Sequence, residues 1–219
     1  MTHAHDRKNL KAEGIILGSK VLGEADKLVS IYTREHGKIR AIAKGAAKPT
    51  SRFSGATETL NLCTFELYES SKKTLITDIK VKKNFAPIRE SLQKITGALI
   101  VTKLTNELFF EGDSLPKIFE LIEKTLGEIV KTKMKSLLIT ATFSIKLLDA
   151  LGLLPNFKDS NAFHLSLTEK YKRLLNYLKD NPFEKIKKIK LTSKEAEELK
   201  EILKKLIENE TEKSLKIPL

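Results

Sequence analysis

KLVSIYTREHGKIRAIAK, residues 27–44, decides the fold. Lys27–Arg34 is rich in β-branched and aromatic residues, and EHG at 35–37 is a tight connection into a second extended run. That second run alternates. Ile39, Ala41 and Ala43 point one way, while Lys38, Arg40, Ile42 and Lys44 point the other. Side chains on one strand face stand about 6.6 Å apart, so the three cations form a straight ladder with gaps of about 6.6 and 13 Å. Such a ladder suits a phosphate backbone.

Immediately downstream, GAAKPTSRFS (45–54) breaks the alternation with Gly45, Pro49 and Ser51 and reads as a loop. Gly37 to Ser54 carries Lys38, Arg40, Lys44, Lys48 and Arg52 and no Asp or Glu. Small residues around Lys48 and Arg52 predict backbone N–H groups open to an anion, and Phe53 offers a flat face for a base. An ordinary solvated strand and loop would show the same charge run, so the run alone does not decide function.

Outward from this block the short-strand pattern continues. GIILGSKVL (14–22) precedes it; ETLNLCTFELY (58–68) and TLITDIKV (74–81) follow, joined by the polar turn ESSKK. Five strands with no long helix between them predict a small OB-type barrel, because closure removes exposed edges. Residues 1–10 are polar and read as a frayed end. At Pro87 the period changes. Ile88–Phe110 repeats Leu92, Ile95, Leu99, Leu104 and Leu108 on one face; Asp113, Ser114 and Pro116 read as the cap and first turn of a second helix to Val130. Lys135–Leu151 is apolar over so wide an arc that it reads as the central helix, ended by Gly152 and Pro155. Ser166 with Glu169, and Thr192 with Glu195, have capping-box spacing for helices reaching about Asp180 and Lys213. The expected fold is therefore α+β: a five-stranded OB-type barrel over 1–82, then an α-helical domain over 83–219.

Composition narrows the partners. Lys+Arg 40 against Asp+Glu 28 gives a net charge of +12, which calls for an anionic partner such as nucleic acid, an acidic membrane surface or an acidic tail. No apolar run is long enough for a membrane span, and MTHAHDRKNLKAEG lacks the apolar core of a signal peptide. The single cysteine, Cys63, excludes an internal disulfide and fits a reducing cytoplasm.

Catalytic chemistry is not legible. Gly18 and Gly23 have the glycine spacing of a phosphate loop, but Glu24 and Ala25 stand where Lys and Ser/Thr are required. Glu24 and Asp26 lack a third metal ligand nearby and read as turn residues or as partners of Lys or Arg. Cys63 lies in an alternating strand and reads as core. His3, His5, His36 and His164 have no zinc or triad spacing. The expectation is a protein without catalytic residues, metal or cofactor.

The block GEADKLVSIYTREHGKIRAIAKGAAKPTSRFSG (23–55) resembles the N-terminal domain of the bacterial recombination mediator RecO. FAPIRESL (85–92), FSIKLLDALGLLP (143–155) and EKSLKIPL (212–219) follow in that family's order, so the resemblance covers nearly the whole chain. It implies an OB-type barrel and a helical domain without nucleotide hydrolysis. It further implies a nucleoid-associated cytoplasmic protein that binds single- and double-stranded DNA and anneals complementary strands. With RecR, and in many bacteria RecF, such a protein helps load RecA onto DNA coated by single-strand-binding protein. By the resemblance Lys38, Arg40, Lys44, Lys48 and Arg52 inherit DNA contact, with Phe53 beside them. The helical half is expected to receive the acidic C-terminal tail of single-strand-binding protein, with Lys146 and Arg173 as candidates for its cationic rim. One departure is plain. Several members of the family carry a four-cysteine zinc module after the LG-x-x-P turn, whereas NFKDSNAFHLS (156–166) has no cysteine, so the loop is expected either to be held by packing of Phe157 and Phe163 or to be mobile. An RNA-binding OB module and a protein-only adaptor for acidic tails are the alternative readings.

Overall fold

The computed structural model describes residues 8–71, 73–132, 136–157 and 167–211. The expectations for residues 1–7, Phe163, His164, the Ser166 cap and the 212–219 segment lie outside them. The chain divides into two compact units: residues 1–86 with 105–123, and residues 87–104 with 124–219.

The first unit is built on five strands, β1 (Lys8–Leu22), β2 (Asp26–Thr33), β3 (Gly37–Ala43), β4 (Leu62–Ser70) and β5 (Lys73–Lys83). They close in the order β1-β2-β3-β5-β4, the expected OB-type barrel. Closure depends on the length of β1. Its first half pairs with β4, from Lys8↔Glu69 to Ile15↔Leu62, and its second half pairs with β2, from Gly14↔Thr33 to Leu22↔Asp26. Gly14 belongs to both pairings, and a Cβ there would lie 2.5 Å from the Ile31 side chain. The antiparallel β2–β3 ladder runs from Lys27↔Ala43 to Thr33↔Gly37, whereas β3 meets β5 in parallel only at Ala41↔Thr74 and Ile42↔Leu75.

The inward residues of β3 are as the alternation predicts. Ala41 and Ala43 are buried with Ile16, Val29, Ile31, Cys63, Phe65, Leu67 and Ile76. Cys63 is a core residue, and burial pushes its thiol up to about 12.

In the second unit α1 (Leu92–Leu108) contributes its N-terminal part and α2 (Pro116–Lys131) its C-terminal part. α3 (Leu137–Ala150) is the central helix, buried along Ile139–Ile145 and again at Leu147 and Leu148. It packs against α4 (Glu169–Asp180), the short α5 (Phe183–Ile186) and α6 (Ser193–Thr211). The capping box of α6 is formed. The Glu195 N–H donates to Thr192 Oγ1 at 3.2 Å, and the Thr192 N–H donates to Glu195 Oε2 at 2.7 Å. Pro116 opens α2 as expected, but Asp113 does not cap it. Its carboxylate accepts from the Phe110 N–H at 2.7 Å and closes a turn over 110–113.

Candidate nucleic-acid interface

The antiparallel registers place the outward side chains of β1, β2 and β3 in rows. Lys20, Leu28 and Ile42 form one row; Gly18, Ser30 and Arg40 form the next; Tyr32 faces Lys38 in a third. Lys20, Arg40, Lys44 and Lys48 are exposed, with Leu28, Ser30 and Ile42 half-buried among them. A groove of about 250 Å³ opens on this face, lined by Gly18, Lys20, Leu28, Ser30, Arg40 and Asn106. Side chains on the β2–β3 face are where OB barrels hold oligonucleotides.

The third row corrects the expected ladder. Lys38 is 3% exposed, and its Nζ donates to the carbonyls of Asn106 and of Phe109, the latter at 2.8 Å. These carbonyls close the C-terminal end of α1, where a cation offsets both unpaired acceptors and the negative end of the helix dipole. The main chain joins in. The Lys38 N–H donates to the Asp113 carbonyl at 3.1 Å, and the Gly112 N–H donates to the Lys38 carbonyl at 2.9 Å. Tyr32 completes the row: its hydroxyl meets both N–H and C=O of Leu115, and its ring lies edge-on to Phe109 at 5.0 Å. Burial is the main cause that pushes the Tyr32 hydroxyl up. Residues 105–123 thus cover one end of the strand face and leave Arg40 at the boundary, paired with Glu111 at 3.4 Å.

Arg34, one turn away, holds the same segment. Its guanidinium lies 4.2 Å over the Phe119 ring and within 3.6–3.7 Å of carboxylate oxygens of Glu13, Glu120 and Glu123.

The loop after β3 also differs from expectation. Its backbone donors are turned inward: Gly45 N–H donates to Asp26 Oδ1 at 2.8 Å, Ala47 to the Ala25 carbonyl, Lys48 to Gly45, Ser51 to Lys48 and Ser54 to Ser51. A chain of successive turns satisfies the amides that an anion nest would need. Asp26, expected in a turn, is instead the first residue of β2, and its carboxylate anchors this loop. Phe53 is buried within the barrel core, and the Arg52 guanidinium lies 4.7 Å above its ring, so no open face is left for a base. Arg52 itself donates to the Thr77 carbonyl at 3.1 Å and pairs with Asp78 at 3.7 Å. It is tied to β5 although its side chain is largely exposed.

In the helical unit Lys146 and Arg173 differ in the same manner. Lys146 is half-buried, its Nζ donates to the Lys179 carbonyl near the end of α4, and burial is the main cause that pulls its ammonium down. Arg173 is exposed on α4. Phe157 is buried, as expected for the segment that lacks cysteines. Among the described residues no cluster of three or more His, Cys, Asp or Glu side chains is placed to hold a metal ion, and no helix is long and apolar enough to cross a membrane.

Sequence reading missed Lys20, Asn106 and Glu111 as parts of this face. Lys20 was legible in principle, because it alternates outward with Gly18 on β1; the other two reach the face only through the packing of residues 105–123.

Comparison with known proteins gives this geometry a lineage. Residues 8–85 match the family described as Recombination protein O N terminal, and residues 89–164 match Recombination protein O C terminal. The chain is 30% identical over 190 residues to the DNA repair protein RecO of Syntrophobacter fumaroxidans, covering 84% of this chain and 76% of that protein. Against the RecO of Desulforamulus reducens it is 32% identical over 162 residues, covering 74% of this chain but 62% of the relative. The RecO of Alkaliphilus metalliredigens matches more distantly but over nearly its whole length, at 24% identity covering 90% and 92% of the two chains. Barrel, helical unit and matched segments agree: the chain belongs to the RecO family of DNA repair proteins.

Proposed function

We propose that this protein is a non-enzymatic DNA-binding mediator that holds single strands on the β1–β2–β3 face and promotes pairing of complementary strands. Together with RecR, and RecF where present, it would assist loading of RecA onto DNA coated by single-strand-binding protein. The observation that carries the reading is the exposed cationic surface of an OB-type barrel, with Lys20 and Arg40 lining a groove and Lys44 and Lys48 exposed in the turns that follow β3. Neutralising phosphates there lowers the repulsion between two strands, so annealing can proceed without nucleotide hydrolysis. Of the two candidates for the rim of a site for the acidic tail, Arg173 is the one free to meet solvent, since Lys146 is engaged with the Lys179 carbonyl.

The test is annealing of complementary oligonucleotides, bare and coated, with and without ATP and over a range of salt. If four cations meet phosphates of one strand, log K falls against log salt with slope of about −2.8, roughly fiftyfold between 50 and 200 mM. Annealing that needs ATP, or binding indifferent to salt, would refute the mechanism. Preference for RNA over a matched DNA strand would favour the RNA-binding alternative.

A further inference from the structure

Phe110 is the most exposed aromatic ring in the barrel unit, 76% open, and it stands on a hydrogen-bonded turn. Its N–H is held by Asp113 Oδ2, and its carbonyl accepts from the Asp113 N–H at 3.2 Å. The flanking residues are fixed as well. Phe109 packs on Tyr32, and Glu111 pairs with Arg40, which lines the groove. Asn106 lines the same groove, and its buried Oδ1 has no hydrogen-bond partner among the described residues.

We propose that the groove and Phe110 together form a subsite for one unpaired nucleotide of a single strand, with its phosphate on Arg40 in place of the Glu111 carboxylate and its base stacked on Phe110. This rests on the DNA-binding reading above and adds to it a strand preference and two residues. At about 250 Å³ the groove is smaller than the roughly 300–1,000 Å³ of pockets that enclose a drug-sized molecule, so it takes the phosphate end and leaves the base outside, and Lys20 and Arg40 supply the cations a phosphate needs. Glu111 is a replaceable occupant, because both partners of its pair are about half-exposed and such pairs hold weakly. Phe110 supplies what the buried Phe53 cannot, an exposed aromatic ring, and it is next in sequence to Glu111, the partner of Arg40.

The chain contains no tryptophan, so Phe110→Trp installs a single reporter at the site. Titrating it with an unlabelled single strand should quench its fluorescence, whereas a matched duplex, whose bases are already stacked, should not. Anisotropy with a labelled strand should show Phe110→Ala binding about tenfold more weakly with an unchanged salt slope. Glu111→Gln should bind more tightly than the parent, and Arg40→Ala should flatten the slope. Normal single-strand binding by Phe110→Ala, or equal quenching by duplex and single strand, overturns the subsite while leaving DNA binding intact. Absence of DNA binding by the parent chain at low salt overturns both readings.

Discussion

Lys38 and Arg40 sit two residues apart on the same face of β3, yet they do different work. At the Gly37–Lys38 end the ammonium is enclosed and meets the carbonyls that finish α1; at the Arg40–Lys44 end the charge faces solvent beside a groove. The contrast teaches that strand parity fixes the direction of a side chain, while a distant segment decides whether that direction leads to water. One charge is used inside the fold, and the other is left at the surface, where the proposed DNA contact would draw on it.

The strongest way to break this division is at Gly37. Its φ is +65°, and a Cβ would lie 1.8 Å from the Asp113 carbonyl oxygen, a main-chain atom that cannot step aside. Gly37→Ala should destabilise the barrel unit by more than about 3 kcal/mol, read by urea unfolding. A loss under 1 kcal/mol would mean that residues 109–114 do not pack as described. Next comes Lys38→Met, which leaves carbonyls buried without their donor. The expected loss is about 3 kcal/mol, a fall in Tm of about 6–12 °C, while the salt slope of DNA binding stays at the parental value. A variant that melts normally but binds DNA with a flatter slope would place Lys38 with Arg40 after all.

The opposite behaviour is expected from Arg40→Ala, Lys44→Ala and Lys48→Ala combined. Stability should change by about 0.5 kcal/mol or less per site, whereas the salt slope should flatten by about 2 for a single strand. Unchanged binding by this folded triple variant would remove the face from the function.

The smallest effect tests exposed charge in the helical unit. The Lys170 ammonium and the Thr192 cap hold Glu195 down to about 2, below an ordinary carboxylate. A carboxyl depressed in the folded state adds stability that is fully present above its unfolded value, near 4.5, and is lost as pH falls through about 2. Glu195→Gln should therefore melt slightly lower than the parent at pH 6, and the two should converge near pH 2. Parallel pH curves would show that the box contributes nothing through its charge.

Much of the fold was legible because it rests on local periodicity. The alternation of β3, the five strands, the wide apolar arc of α3 and the Thr192–Glu195 box each follow from residues close in sequence. The candidate site was legible in part. Arg40 stands exposed on the strand face as alternation predicts, while Lys44 and Lys48 are exposed in turns beyond the end of β3, and the fates of Lys38 and Phe53 depend on residues that fill space around them. Nothing in GKIRAIAK reports that the end of α1 will stop beside Lys38. Likewise nothing in AAKPTSRFS reports that its amides will bond to one another and turn Phe53 into the core. Glu111 and Phe110 were invisible for the same reason, since they follow the change of period at Pro87 and read as a helix end.

The barrel unit is discontinuous in sequence, and this has a consequence for its order of synthesis. A ribosome releases all five strands by Lys83, but the residues that cover Tyr32 and receive the Lys38 ammonium, 105–123, emerge only after the first part of the helical unit. Chains fold from the N-terminus as they appear, so for that interval a nascent barrel carries an uncovered tyrosine and a lysine whose acceptors do not yet exist. A fragment cut after β5 would lack these partners, and one meant to reproduce the finished barrel unit has to supply residues 105–123 as well.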